Sequence, residues 1–138
     1  DSIDYWVWEN IDSKILNPRV VIIEYNAKYK PPMEWIKVND KKLKFDKTDS
    51  MGASLKSLEL LGRKKGYSLV GCGISGANAY FVRNDLLGEH FCEPFTAENH
   101  YQPARYYICK SVSGKNYDYS GMKNSYCSHI GKNGKLFS

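Results

Sequence analysis

Residues 67–83 read Tyr67-Ser68-Leu69-Val70-Gly71-Cys72-Gly73-Ile74-Ser75-Gly76-Ala77-Asn78-Ala79-Tyr80-Phe81-Val82-Arg83. Taken literally, Gly71, Gly73 and Gly76 spell G-x-G-x-x-G after a strand-like run, the pattern of a dinucleotide-binding loop. That loop works only where a helix N-terminus follows and meets a pyrophosphate. Here the next residues, Asn78-Ala79-Tyr80-Phe81-Val82, are aromatic and β-branched, which favours a strand. Glycines also serve a tight reversal, since they accept positive φ without strain. The stretch is therefore read as a hairpin: strand over Tyr67–Cys72, turn over Gly73–Ala77, strand over Asn78–Val82, the two antiparallel. No dinucleotide site is expected.

Immediately upstream, Met51, Leu55, Leu58 and Leu61 recur at helical spacing and predict one buried stripe, with Lys56, Glu59 and Arg63 facing out. Arg63, Lys64 and Lys65 suit the negative C-terminal end of that helix, and Gly66 stops it. Further back, residues 26–49 carry Pro31-Pro32 and many Lys and Asp, and read as a long loop, which inside a compact domain is usually functional or mobile. Val20-Val21-Ile22-Ile23-Glu24-Tyr25 is a continuous β-branched run, the pattern of an α/β-sheet strand covered on both faces. The opening segment reads as a helix capped by Ser2, with Asp4 in its first turn, Ile3, Val7, Ile11 and Ile15 as its apolar stripe, and Asn17-Pro18 as its stop. Downstream, Tyr106, Tyr107 and Ile108 suggest one short strand. Residues 111–138 hold 6 Ser, 4 Gly and 3 Asn and read as an irregular tail.

Length and composition narrow the function. The chain of 138 residues has room for one core, and 42% hydrophobic with 25% charged residues is a globular balance. No apolar run reaches the roughly 18–20 residues that span a bilayer, and the opening Asp1-Ser2-Ile3-Asp4 is no secretory signal. A cytoplasmic protein is expected, with its four cysteines as free buried thiols. The net charge of +5 is spread along the chain rather than clustered with aromatics, so nucleic acid is not an expected partner. His90-Phe91-Cys92 and Cys127-Ser128-His129 contain two His and two thiols, a tetrahedral zinc donor set in kind. One-residue gaps across a 34-residue spacer fit no ribbon, and no metal is expected. Ser54 and Ser75 lack His and Asp partners in any recognisable arrangement, which leaves nucleophilic hydrolysis without support.

The ordered succession Asp1-Ser2-Ile3-Asp4-Tyr5-Trp6-Val7-Trp8, Pro18 to Asn26, Gly52-Ala53-Ser54-Leu55, Lys65 to Gly71 and Asn78 to Arg83 resembles the second half of FkbM-type S-adenosylmethionine-dependent methyltransferases. The resemblance spans about residues 1–110, in order and spacing. It implies an α/β fold: a partial doubly wound, Rossmann-like methyltransferase sheet of about three mixed strands, the last hairpin strand antiparallel, with two main helices. It also implies O-methylation of a hydroxyl on a sugar or other small molecule. In that family an acidic segment closes the fourth strand, and Asp1 and Asp4 match its last two acidic positions, with Ser2 where the family has Gly. The resemblance thus casts Asp1 and Asp4 as catalytic residues, and Glu24, Tyr25 and Asn26, ending the next strand, as the acceptor-binding side. The family's glycine-rich loop for S-adenosylmethionine, and the acid that holds its ribose, would lie upstream of Asp1. This chain alone is expected to bind that cofactor weakly or not at all, and to be inactive, because positioning is most of what the protein adds to the cofactor's own chemistry.

Three structural expectations follow from the resemblance. Val20–Tyr25, Asn78–Val82 and Tyr67–Cys72 lie side by side in that order, the outer two parallel and the middle one reversed. Both helices cover one face of the sheet. The edge of Val20–Tyr25 is bare, which invites pairing and predicts a homodimer. A non-enzymatic oligomerisation or interaction module that keeps the half-fold for assembly is the alternative function.

Overall fold

The computed structural model describes residues 3–39, 48–105 and the backbone of 134–136. Along the chain run α1 (Asp4–Asn10), β1 (Val20–Glu24), β2 (Trp35–Lys37), α2 (Leu55–Lys64), β3 (Tyr67–Cys72), β4 (Asn78–Arg83), a 3₁₀ turn (Asn84–Leu86), α3 (Ala97–His100) and β5 (Gly134–Leu136). Three strands form an open sheet in the order β1-β4-β3. β4 is antiparallel to both neighbours, in registers Ile22↔Tyr80 and Leu69↔Phe81, so β1 and β3 run the same way. Order and strand directions are those the resemblance implies, but every bonded neighbour pair is antiparallel, so the sheet is antiparallel rather than mixed. A small second sheet pairs β2 with β5 antiparallel. That strand pair lies within two stretches read as loop and irregular tail. The expected strand at 106–108 lies outside the described residues.

The hairpin turn explains its glycines without a ligand. Gly76 sits at φ +73°, its N–H bonds the Gly73 carbonyl at 2.8 Å, and Gly73 N–H bonds the Asn78 carbonyl at 2.7 Å. A Cβ on Gly76 would run into the backbone of Pro103, so both the turn and the close approach require glycine there.

One face of the sheet carries the core. Ile23, Ala79, Phe81, Tyr67 and Leu69 point to it, and Leu55, Leu58 and Leu61 of α2 cover it, each at most 2% exposed. Burying a Leu side chain contributes about 1.5–3 kcal/mol, so this stripe alone offsets much of the helix's ordering cost. α2 begins cleanly because Ser54 Oγ accepts the Ser57 N–H at 3.2 Å. α1 covers the same face through Trp8, whose ring lies 4.9 Å from Phe81 and 5.9 Å from Tyr67.

Five local expectations are corrected. α1 ends at Asn10 rather than near Leu16. Lys65 Nζ donates to the Glu9 and Ile11 carbonyls at 3.1 and 2.8 Å, and Asp12 Oδ1 accepts the Lys14 N–H at 2.8 Å, which favours a turn. Its stripe is Trp8, not Ile3, Val7 and Ile15, which are 48, 53 and 86% exposed. Met51 precedes α2 and is exposed, and Glu59 is fully buried instead of facing out. β1 is an edge strand whose second face is open, with Val20 and Ile22 exposed, because no further strand or layer covers it among the described residues.

Candidate functional site

Open α/β sheets place ligands at the carboxyl ends of their parallel strands. β1 and β3 share that end, which brings Glu24, Tyr25 and Asn26 close to Cys72. Tyr25 is buried and faces the core side; its hydroxyl donates to the Gln102 carbonyl at 2.6 Å and accepts the Gln102 N–H at 3.3 Å. Tyr101 lies across it, ring centroids 6.4 Å apart, and donates its hydroxyl to the Ala27 carbonyl at 2.6 Å. Arg105 completes the clasp: its N–H reaches the Ser75 carbonyl at 2.7 Å and its Nη1 the Ile74 carbonyl and Gln102 Oε1 at 3.1 and 2.8 Å. Residues 101–105 thus close over this end of the sheet.

Burial pushes the Tyr25 hydroxyl well above its usual range, with the neighbouring Cys72 adding to it. Burial likewise pushes the Cys72 thiol up to about 11, against the smaller opposing effect of its hydrogen bond to Tyr25. Neither group is a base or a nucleophile at neutral pH; as placed, they position the chain. Asn26 does similar work. Its Nδ2 donates to the Asp49 and Met51 carbonyls at 2.7 and 3.0 Å, and its Oδ1 accepts the Lys28 N–H at 3.1 Å. Lys28 pairs in turn with Asp49. Of the three acceptor-side residues, Glu24 alone presents an exposed side chain.

Asp4 lies elsewhere. It lines a cavity of about 330 Å³ between α1 and β1, together with Val7, Leu16, Ile23, Lys65 and Tyr67. Glu24, Tyr25 and Asn26 do not line that cavity, so the four described residues of the expected site fall in two places. Asp1 is outside the described residues. The cavity is mostly apolar, with Asp4, Ser13 and Lys65 as its polar members.

The sequence reading missed Glu59. Its carboxylate is fully buried, accepts the Ala97 N–H at 2.6 Å and Lys56 Nζ at 3.0 Å, and lies 2.7 Å from Arg63 Nη2 in an ion pair without aligned hydrogen-bond geometry. It anchors the start of α3 to α2. The available signal was its Lys and Arg neighbours at i−3 and i+4, which suit a surface pair equally well. His100 was also missed: burial lowers its pKa, against a backbone hydrogen bond at Cys92, and its Nε2 is buried without a hydrogen-bond partner. Among the described residues no three His, Cys, Asp or Glu side chains converge as metal ligands. Cys127 and His129 lie outside the described residues, and Cys92 is exposed. No helix of the described residues is long and apolar enough to cross a membrane.

Comparisons with family models, with curated proteins and with solved structures found no match for this chain.

Proposed function

We propose that this chain is the acceptor-side, C-terminal half of an S-adenosylmethionine-dependent methyltransferase-like domain, one that methylates a hydroxyl of a small molecule or sugar when joined to a cofactor-binding half. The observation that carries the reading is the strand order β1-β4-β3 with parallel outer strands and a reversed middle strand, helices α1 and α2 lying on one face. That order and its glycine hairpin are what the resemblance implies. In this reading Asp4, at the start of α1, and Asp1, three residues before it in the sequence, serve the methyl transfer. Exposed Glu24 meets the acceptor, while Tyr25 and Asn26 hold the strand end in place through the bonds described above. S-adenosylmethionine would be held mainly by the other half. The fold alone does not define an activity, and the acceptor class rests on the resemblance.

The test is the coding sequence upstream of Asp1. An in-frame strand, glycine-rich loop and helix supports the reading. A start codon directly before Asp1, or an unrelated upstream domain, overturns it in favour of an interaction module. The edge and open face of β1, uncovered among the described residues, are compatible with both readings.

A further inference from the structure

Backbone parity shows what the edge of β1 offers. Tyr25 N–H bonds the Ala77 carbonyl at 2.9 Å, and Arg83 N–H bonds the Arg19 carbonyl at 3.1 Å. In an antiparallel ladder such bonded pairs alternate, so the odd-numbered residues of β1 spend their N–H and C=O groups on β4. Val20, Ile22 and Glu24 therefore aim theirs at the edge that no strand covers among the described residues, six backbone groups in all. An edge of this kind is a template for another strand, and here neither a Pro, a Lys nor a bulge within the strand blunts it.

We propose that this edge pairs with a second copy of the chain, β1 against β1 antiparallel, about a two-fold axis at Ile22. Only a register centred on Ile22 places Ile22 opposite Ile22 and Val20 opposite Glu24, so that all six outward groups on each strand find partners. A register centred on Val21 sets Glu24 against Pro18, which has no N–H to donate. Centring on Ile23 leaves Val20 beyond the end of the partner strand. In the central register Glu24 of one copy lies opposite Val20 of the other, and no like charges oppose. The pairing makes one continuous six-stranded sheet. It brings exposed Val20 and Ile22 of both copies into one strip, with exposed Val7 and Leu16 lining the cavity beside it in each copy.

Light scattering on the eluting chain should give twice the 15.8 kDa monomer mass at micromolar concentration. Hydrogen exchange of the unmodified protein should show the amides of Val20, Ile22 and Glu24 protected in the dimer and exchanging faster on dilution. Ile22→Lys and Ile22→Glu change an exposed side chain, and each alone sets like charges across the axis, weakening association about tenfold or more. Mixed together, they should recover a one-to-one dimer. A wild-type monomer throughout, amides at these positions indifferent to dilution, or a dimer that survives Ile22→Lys would each overturn the proposal. Two monomeric variants that fail to pair on mixing would overturn the register. The inference does not rest on the methyltransferase reading: a monomer leaves the strand order standing, and an unrelated upstream sequence leaves the edge.

Discussion

Gly62→Ala separates helix propensity from packing, because the two predict opposite signs. In an exposed helix interior, replacing Gly by Ala stabilises by about 1 kcal/mol. Gly62 is buried in α2 against β4, and a Cβ there would lie 2.8 and 2.9 Å from Phe81 Cε1 and Cδ1 and 3.2 Å from Trp8 Cη2. Carbon atoms rest at about 3.5–4.0 Å, so rings of α1 and β4 must retreat by roughly half an ångström or more. Phe81 is 0% exposed and Trp8 5%, so neither has free space to take. Overpacking of this kind costs about 1–3 kcal/mol, which outweighs the propensity gain and leaves a net loss of about 1 kcal/mol. Thermal unfolding followed by circular dichroism should show a midpoint lower by about 4 °C. Repeating the change on a Phe81→Leu background removes most of the clash, and there Gly62→Ala should be neutral or stabilising. A higher midpoint for Gly62→Ala in the wild-type background would refute the placement of α1 and α2 together on this face of β4.

Iodoacetamide at pH 8, read by peptide mass spectrometry, should label exposed Cys92 at least about tenfold faster than Cys72, whose thiol burial pushes up to about 11. Equal rates would contradict the closure of residues 101–105 over Cys72. The lowered pKa of His100 means the unfolded chain takes up a proton more readily than the folded one, so its contribution is intact above about pH 6.5 and is lost as pH falls below that value. Urea midpoints at pH 7 and 5.5 should differ less for His100→Gln than for wild type. Glu98, held low by its backbone hydrogen bond and Lys56 against the opposing effect of burial, loses its contribution only in more acid solution. Isothermal titration of S-adenosylmethionine into the chain should show no micromolar binding; a micromolar site would mean the cofactor half is not elsewhere.

Where local pattern and tertiary need agreed, the fold could be read in advance. The hairpin was legible because Gly73 and Gly76 serve a reversal and Tyr80 to Val82 cannot continue as the helix a phosphate loop requires. The stripe of Leu55, Leu58 and Leu61 was legible because helical spacing and burial coincide. α1 was misjudged beyond Asn10 because its end is set by Lys65, far away in sequence, which binds carbonyls that a longer helix would use itself. Glu59 was misjudged because its ion-pair partners are the same residue types that accompany an exposed acid. Its burial follows from the Ala97 N–H, which no helical pattern reveals. β2 escaped notice since its partner lies at 134–136, almost a hundred residues away, and long-range pairing leaves little trace in a three-residue strand. For the candidate site, sequence located the strand end at Glu24–Asn26, but not that Gln102 and Arg105 would close over it.

Nuclear Overhauser spectra of isotope-labelled protein settle the strand order on which both the functional reading and the edge pairing stand. In the registers above, Val20–Val82, Ile22–Tyr80 and Glu24–Asn78 are the non-hydrogen-bonded pairs of β1 and β4, whose α-carbons approach to about 4.5 Å. Strong cross-peaks between the α-protons of these three pairs are expected, with none between β1 and β3. Direct β1–β3 cross-peaks, or a helix-type pattern of sequential contacts after Gly76, would dissolve the half-sheet and everything inferred from it.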